Sequence, residues 1–219
     1  MAFYSMTKEE MKELMDVALG KTKADLVIAN GNVVNVYTRE IMPSYSVAIK
    51  GGRIASLGKD KDIEQTIGSE TGVIDVKGKA IIPGFIDTHT HIAQLYDINE
   101  FSKHAMKTGT TMVVTEITEI TATLGYAGLR YYLKALKEQP IKIFLTISPA
   151  ITIHPEPPEY VLTVQTLRKL LKEDNVLGLG ESFWLSVLQQ DDRVMSLLAE
   201  TLAARKKAEG HTTGVRNDK

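Results

Sequence analysis

The stretch Pro83-Gly84-Phe85-Ile86-Asp87-Thr88-His89-Thr90-His91-Ile92, PGFIDTHTHI, places two of the chain's five histidines one residue apart after an apolar start. Phe85 to Ile92 reads as a strand. Side chains on a strand alternate between faces, so Asp87, His89 and His91 share one face. Two imidazoles that converge from one rigid strand can hold a metal ion with little ordering cost.

Downstream of this strand the rhythm is strand, helix, strand. A helix is predicted over Asp97 to Gly109, a strand over TMVVTE, and a helix over Leu124 to Gln139. A strand over Ile141 to Ser148 leads into the loop PAITIHPEPP. Tyr160 to Asp174 reads as helix, Val176 to Ser182 as strand, and Asp191 to Glu209 as a long helix stopped at Gly210. Repeated βα units imply a parallel sheet, either open or closed into a barrel. In such folds chemistry sits at the C-terminal ends of the strands. His89 and His91 end the first βα strand, Glu181 ends the fourth, and His211 falls where a fifth should begin. Three separated segments thus bring metal-ligand residue types to one rim.

Upstream, Thr7 and Glu10 fit a capping box, and Met11, Leu14, Met15 and Ala18 form an apolar stripe ended by Gly20. From Ala24 to Gly78 short β-rich runs surround Asn30-Gly31, Gly51-Gly52 and Gly78, which predict hairpins of a small antiparallel sheet or half-sandwich. The expected division is an N-terminal helix over 1–23, a small β domain over 24–82, and βα units over 83–219.

Composition narrows the partners. The 219 residues are 43% hydrophobic and 24% charged, with a net charge of -1. That balance argues against nucleic acid or an anionic membrane as the main partner. No run approaches the roughly 20 apolar residues of a membrane span, and the N-terminus lacks a secretory pattern, so a cytoplasmic location is expected. The sequence has no cysteine, so a metal must be held by His, Asp or Glu.

Several residues carry two readings. Glu181 also suits a helix N-terminus, where the dipole favours an anion. His211 also suits the C-terminal end of a helix. Asp87 either supports a ligand or caps a turn. His104 reads as a surface or packing residue, and Trp184 as pocket lining or core. His154 and Glu119 are read as loop or surface residues, or as substrate contacts.

GKAIIPGFIDTHTHI, preceded by VIANGNVVNVYTREI and VAIKGGRIASLG, resembles the amidohydrolase superfamily of metal-dependent (β/α)8-barrel hydrolases. MKTGTTMVVTEITEITATLG, GES and EGHTTG are most similar to adenine deaminase and its relatives. The resemblance implies an α/β fold, a partial (β/α)8 barrel with a small β-sandwich-like N-terminal segment. It implies two divalent metals (Mn, Fe or Zn) on His89, His91, Glu181 and His211, with Glu181 bridging them. It implies attack by an activated water on an amidine carbon, with loss of ammonia. Glu119 and His154 become substrate-contact candidates, and the substrate is a small molecule, a purine or another cyclic amidine. The Asp-Pro-His-Glu pattern of adenine deaminases is matched here by Glu116-Ile117-Thr118-Glu119. A sixth-strand histidine and an eighth-strand aspartate of the family have no match before Lys219. The chain is therefore expected to be the front half of such an enzyme, or an oligomer that covers its open edges. A hydrolase of another cyclic amide and a non-catalytic half-barrel are the alternatives.

Overall fold

The computed structural model describes residues 6–149 and 161–212. Contacts divide the chain into two compact units, Met1–Pro83 and Gly84–Lys219.

The first unit opens with helix α1, Lys8–Ala18. Its capping box is complete: the Glu10 N–H donates to Thr7 Oγ1 at 3.1 Å and the Thr7 N–H donates to Glu10 Oε2 at 2.7 Å. The helix buries Val17, while Met11 and Met15 of the expected stripe are 46% and 61% exposed. Strands β1 (Leu26–Asn35), β2 (Glu40–Lys50), β3 (Arg53–Lys59), β4 (Gly72–Asp75) and β5 (Ala80–Ile81) form one sheet. Its order is β3-β2-β1-β4, with β5 also on β1. The short helix α2, Asp60–Ile63, follows β3. Val17, Ala24, Val27, Ala29, Ala48 and Ile63 make its core.

Two readings of this region change. The Gly51-Gly52 pair does turn β2 into β3, with φ of 56° and 72°, the positive values that a tight hairpin requires. Asn30-Gly31 instead lies inside β1, at a break in its register with β2. Asn30 has φ 59°, which a bulge uses as readily as a turn. The Asn30 N–H donates to Ser46 Oγ at 3.2 Å, and that hydroxyl donates to Asp60 Oδ1 at 2.6 Å, so tertiary partners hold the kink within the strand. The sheet is also mixed rather than antiparallel, because β4 and β5 both run parallel to β1.

The second unit is a run of βα steps. Its strands are β6 (Phe85–Thr90), β7 (Thr110–Thr115), β8 (Lys142–Ile147), β9 (Val176–Phe183) and β10 (Lys207–His211). Its helices are α3 (Ile92–Leu95), α4 (Ile98–Lys107), α5 (Thr118–Lys137), α6 (Val164–Leu170), α7 (Trp184–Leu188) and α8 (Asp192–Ala203). Asp97, Thr163 and Asp191 cap α4, α6 and α8 by accepting backbone N–H groups of Asn99, Thr166 and Val194. The strands pair in the order β10-β9-β8-β7-β6, all parallel. Val113, Ile143, Leu145, Ile147, Val176 and Leu179 on the strands pack with Leu129, Leu133, Leu136, Leu167 and Leu197 on the helices. The near-continuous apolar run of β8 is what a strand buried on both faces requires.

Neighbouring strands are spaced by about 4.8 Å, so β6 and β9 would lie about 14 Å apart in a flat sheet. His89 Nε2 instead stands 3.1 Å from Glu181 Oε1. The sheet is therefore curled, and its concave rim gathers the strand ends, as in the expected partial barrel.

Several boundaries differ from expectation: β6 ends at Thr90, with Ile92 already in α3, and α6 spans only Val164–Leu170. Helix α5 starts at Thr118 and contains a break at Gly125, φ 62° and ψ -179°. Helix α8 stops at Ala203, and residues expected to continue it form β10. The Arg205 N–H donates to Leu202 O at 2.9 Å and the Lys206 N–H to Thr201 O at 3.1 Å, with Arg205 at φ 56°. This is a left-handed helix stop without the usual glycine. His211 thus ends the fifth strand instead of preceding it.

Candidate metal centre

Glu181 lies near the C-terminal end of β9, beside the edge strand β10. Ala208 pairs with Leu179 and Gly210 with Ser182, so β9 carries one extra residue there, a bulge of the kind that re-aims a side chain. Glu181 has φ 52°, a left-handed value that costs a non-glycine residue on the order of 1–3 kcal/mol. The bulge lies beside Gly180, where a Cβ would strike Thr146 Oγ1 and Glu209 Oε1. Those two atoms are hydrogen-bonded, Thr146 Oγ1 to Glu209 Oε1 at 3.2 Å. Glycine is what lets β8, β9 and β10 approach here.

Three of the sequence-derived candidates surround this carboxylate. His211 Nε2 lies 2.5 Å from Glu181 Oε2. His89 Nε2 and His91 Nε2 lie 3.1 and 3.6 Å from Glu181 Oε1. The rings of His89 and His91 have centroids 5.2 Å apart, and those of His89 and His211 6.4 Å. Glu181 is only 9% exposed, and its Oε1 is buried without a hydrogen-bond partner. One ligand atom from each of His89, His91 and Glu181 lies within 4.8 Å of the others. Imidazole nitrogens and a carboxylate form a donor set that suits Zn, Mn or Fe. The residues present therefore fit a divalent cation.

The remaining candidates divide. Glu119 opens α5 with Oε1 at 3.5 Å from His91 Nδ1. His154 lies outside the described residues. Asp87 accepts the His89 N–H at 3.2 Å, a local turn on its own strand. His104 stands against Tyr96, with ring centroids 6.2 Å apart.

Sequence reasoning missed two carboxylates. Glu116 Oε2 lies 3.5 Å from His91 Nδ1, and Glu209 Oε2 lies 3.9 Å from His89 Nδ1. Glu116 is 1% exposed. Burial pushes its carboxyl above the usual range, against the lowering effect of hydrogen bonds from Thr118 and Ile117. Tyr132 is pushed up to about 12 by burial first, then by the charges of Glu119 and Asp97. Glu209 precedes His211 by two residues, so strand alternation would have placed both on one face, had the segment been read as a strand.

Residues 80–213 match the model of the amidohydrolase family. The chain belongs to the amidohydrolase family. Curated relatives include adenine deaminase of Moorella thermoacetica, 36% identical over 207 residues, covering 93% of this chain and 34% of that protein. Adenine deaminase 3 of Rhizobium meliloti is 35% identical over 202 residues, covering 90% and 34%. The chain thus spans about a third of the length of these relatives. Among solved structures, an adenosine deaminase from Xanthomonas campestris with bound Zn superimposes with a TM-score of 0.55 at 13% identity, covering 89% of this chain and 59% of that one. A beta-aspartyl dipeptidase from Fervidobacterium islandicum AW-1 gives 0.55 at 18%, covering 82% and 47%. At such identities the likeness is one of fold, the amidohydrolase barrel. No helix among the described residues is long and apolar enough to cross a membrane.

Proposed function

We propose that this amidohydrolase chain supplies the metal-holding rim of an enzyme that hydrolytically deaminates adenine or a related 6-aminopurine. The observation that carries this reading is the convergence of His89, His91 and His211 on the buried Glu181, whose Oε1 lacks a hydrogen-bond partner. The names of the curated relatives support the choice of substrate.

In this reading His89, His91, Glu181 and His211 would hold the divalent metal. A bound cation supplies Lewis acidity that brings water toward ionisation at neutral pH. The chain's own part is preorganisation. His89 and His91 are held by the end of one strand, and the strained bulge of β9 fixes Glu181 before any ligand arrives. Glu209, hydrogen-bonded to Thr146, stands 3.9 Å from the far nitrogen of His89. The net reaction adds water oxygen to the ring carbon, breaks the exocyclic C–N bond and releases ammonia, leaving the ring carbonyl.

Thr118 stands where the resembled pattern has histidine, and its N–H is taken by Glu116 Oε2 at 2.7 Å. This favours testing other 6-aminopurines beside adenine. The protein at its full encoded length, loaded with Mn, Fe or Zn, is assayed for ammonia release from adenine and 2,6-diaminopurine and for ring opening of a cyclic amide. Ammonia from a purine, lost in Glu181→Gln, is expected. Ring opening of the cyclic amide with no ammonia from either purine rejects the purine reading, and no turnover with no metal uptake rejects the enzyme reading.

A further inference from the structure

We propose that His91, Glu116 and Glu119 form a second cation site, on the side of the His91 ring away from Glu181. His91 Nδ1 lies 3.5 Å from Glu116 Oε2 and 3.5 Å from Glu119 Oε1. An N–H···O hydrogen bond is about 2.9 Å long, and His91 Nδ1 makes none. Two donors each about 2.1 Å from one tetrahedral ion stand about 3.4 Å apart. The observed separations suit ligands of a shared ion better than hydrogen-bond partners. One ligand atom from each of the three residues lies within 4.8 Å of the others.

Three buried atoms without hydrogen-bond partners belong to this same group: His91 Nδ1, Glu116 Oε1 and Glu119 Oε2. Among the described residues neither carboxylate pairs with a lysine or arginine; His91 is the basic side chain that each meets, and Glu116 Oε2 also accepts the Thr118 N–H. Two carboxylates drawn together, one of them 1% exposed, are unfavourable as anions until a cation joins them. One imidazole nitrogen and two carboxylates suit Mn, Fe or Zn.

The support is local and rigid. The Glu116 N–H donates to Thr90 O at 2.9 Å, and the Ile92 N–H donates to Thr115 Oγ1 at 3.3 Å. These bonds lock the ends of β6 and β7 together on either side of His91. The Thr118 N–H holds Glu116 Oε2 at 2.7 Å, and Glu119 sits in the first turn of α5. The site is thus built from β6, β7 and α5 and needs neither β9 nor β10. Ligation through both ring nitrogens of His91 would require its ring proton to be released to water. Glu119 is then a cation ligand rather than a substrate contact.

This inference goes beyond the deaminase reading and does not require Glu181. The test uses the full encoded protein with Zn2+ or Mn2+ alone, and Glu119→Gln, Glu116→Gln and Glu181→Gln variants. Tightly held metal is counted by mass spectrometry after gel filtration, and anomalous diffraction locates it. Glu119→Gln is expected to lose about one equivalent per chain, or at least about tenfold in affinity for it, with Glu181-side metal retained. An anomalous peak beside His91 Nδ1 is expected even in Glu181→Gln. Unchanged metal in both Glu119→Gln and Glu116→Gln, or a peak only beside Glu181, overturns the second site and leaves the deaminase reading standing. A peak only beside His91 Nδ1 does the reverse.

Discussion

His211 and Glu181 meet at 2.5 Å, Nε2 to Oε2, from the ends of two neighbouring parallel strands. The contact occupies one carboxylate oxygen and leaves the other, Oε1, facing His89 and His91. If His211 belongs to the ligand set, His211→Asn should weaken Zn2+ or Mn2+ binding by about 10- to 100-fold. Isothermal titration would show it, and an unchanged affinity would remove His211 from the set.

Glu181 is held at φ 52°, a conformation that glycine adopts without strain. Glu181→Gly should raise the stability of the metal-free protein by about 1 kcal/mol while abolishing metal binding on that side. Denaturant melts of both proteins without metal decide this. A destabilised variant would mean that the bulge is relaxed and that Glu181 contributes packing instead.

Gly180→Ala would drive a methyl group into the Thr146–Glu209 hydrogen bond. Overpacking of this kind costs about 1–3 kcal/mol. Thermal unfolding should reveal the loss, and a silent substitution would show that the three strands have room to separate.

In the first unit, Asp25 accepts the Lys50 ammonium at 2.6 Å and the Gly51 N–H at 2.8 Å. The Lys50 hydrogen bond, followed by that of Gly51, holds its carboxyl below the usual 3.8. An acid with a lowered folded pKa contributes stability that is present above the unfolded value and lost as pH falls through the folded one. Asp25→Asn should therefore lower stability near neutrality and flatten its loss below about pH 4, where the two proteins converge. Melts across pH 2 to 7 test the sign; a steeper acid loss in the variant contradicts it.

The βα rhythm was readable because hydrophobic period and capping residues agree along most of the second unit. PGFIDTHTHI and VLGLGES carry their ligand candidates at strand ends, where position alone suggests chemistry. Lys207–His211 was not readable as a strand. KAEGH has no apolar alternation, and the pairing with β9 that makes it a strand is tertiary. Glu209 was hidden with it. Glu116 was hidden differently, since a glutamate after a strand resembles many surface charges until burial is known. Asn30-Gly31 misled because the same positive φ serves a turn and a bulge.

The curl that brings β6 to β9 also gives an ion at this rim a mechanical role. Its ligands come from opposite margins of the sheet, so a bound cation acts as a clasp between strands that share no backbone ladder. Binding energy becomes resistance to uncurling, about 2.7 kcal/mol when free metal exceeds its dissociation constant a hundredfold. Amide exchange in β6 and β10 should then slow in concert as metal is added, with the interior strand β8 little affected. The protein would respond to its metal supply by how firmly its sheet holds its shape.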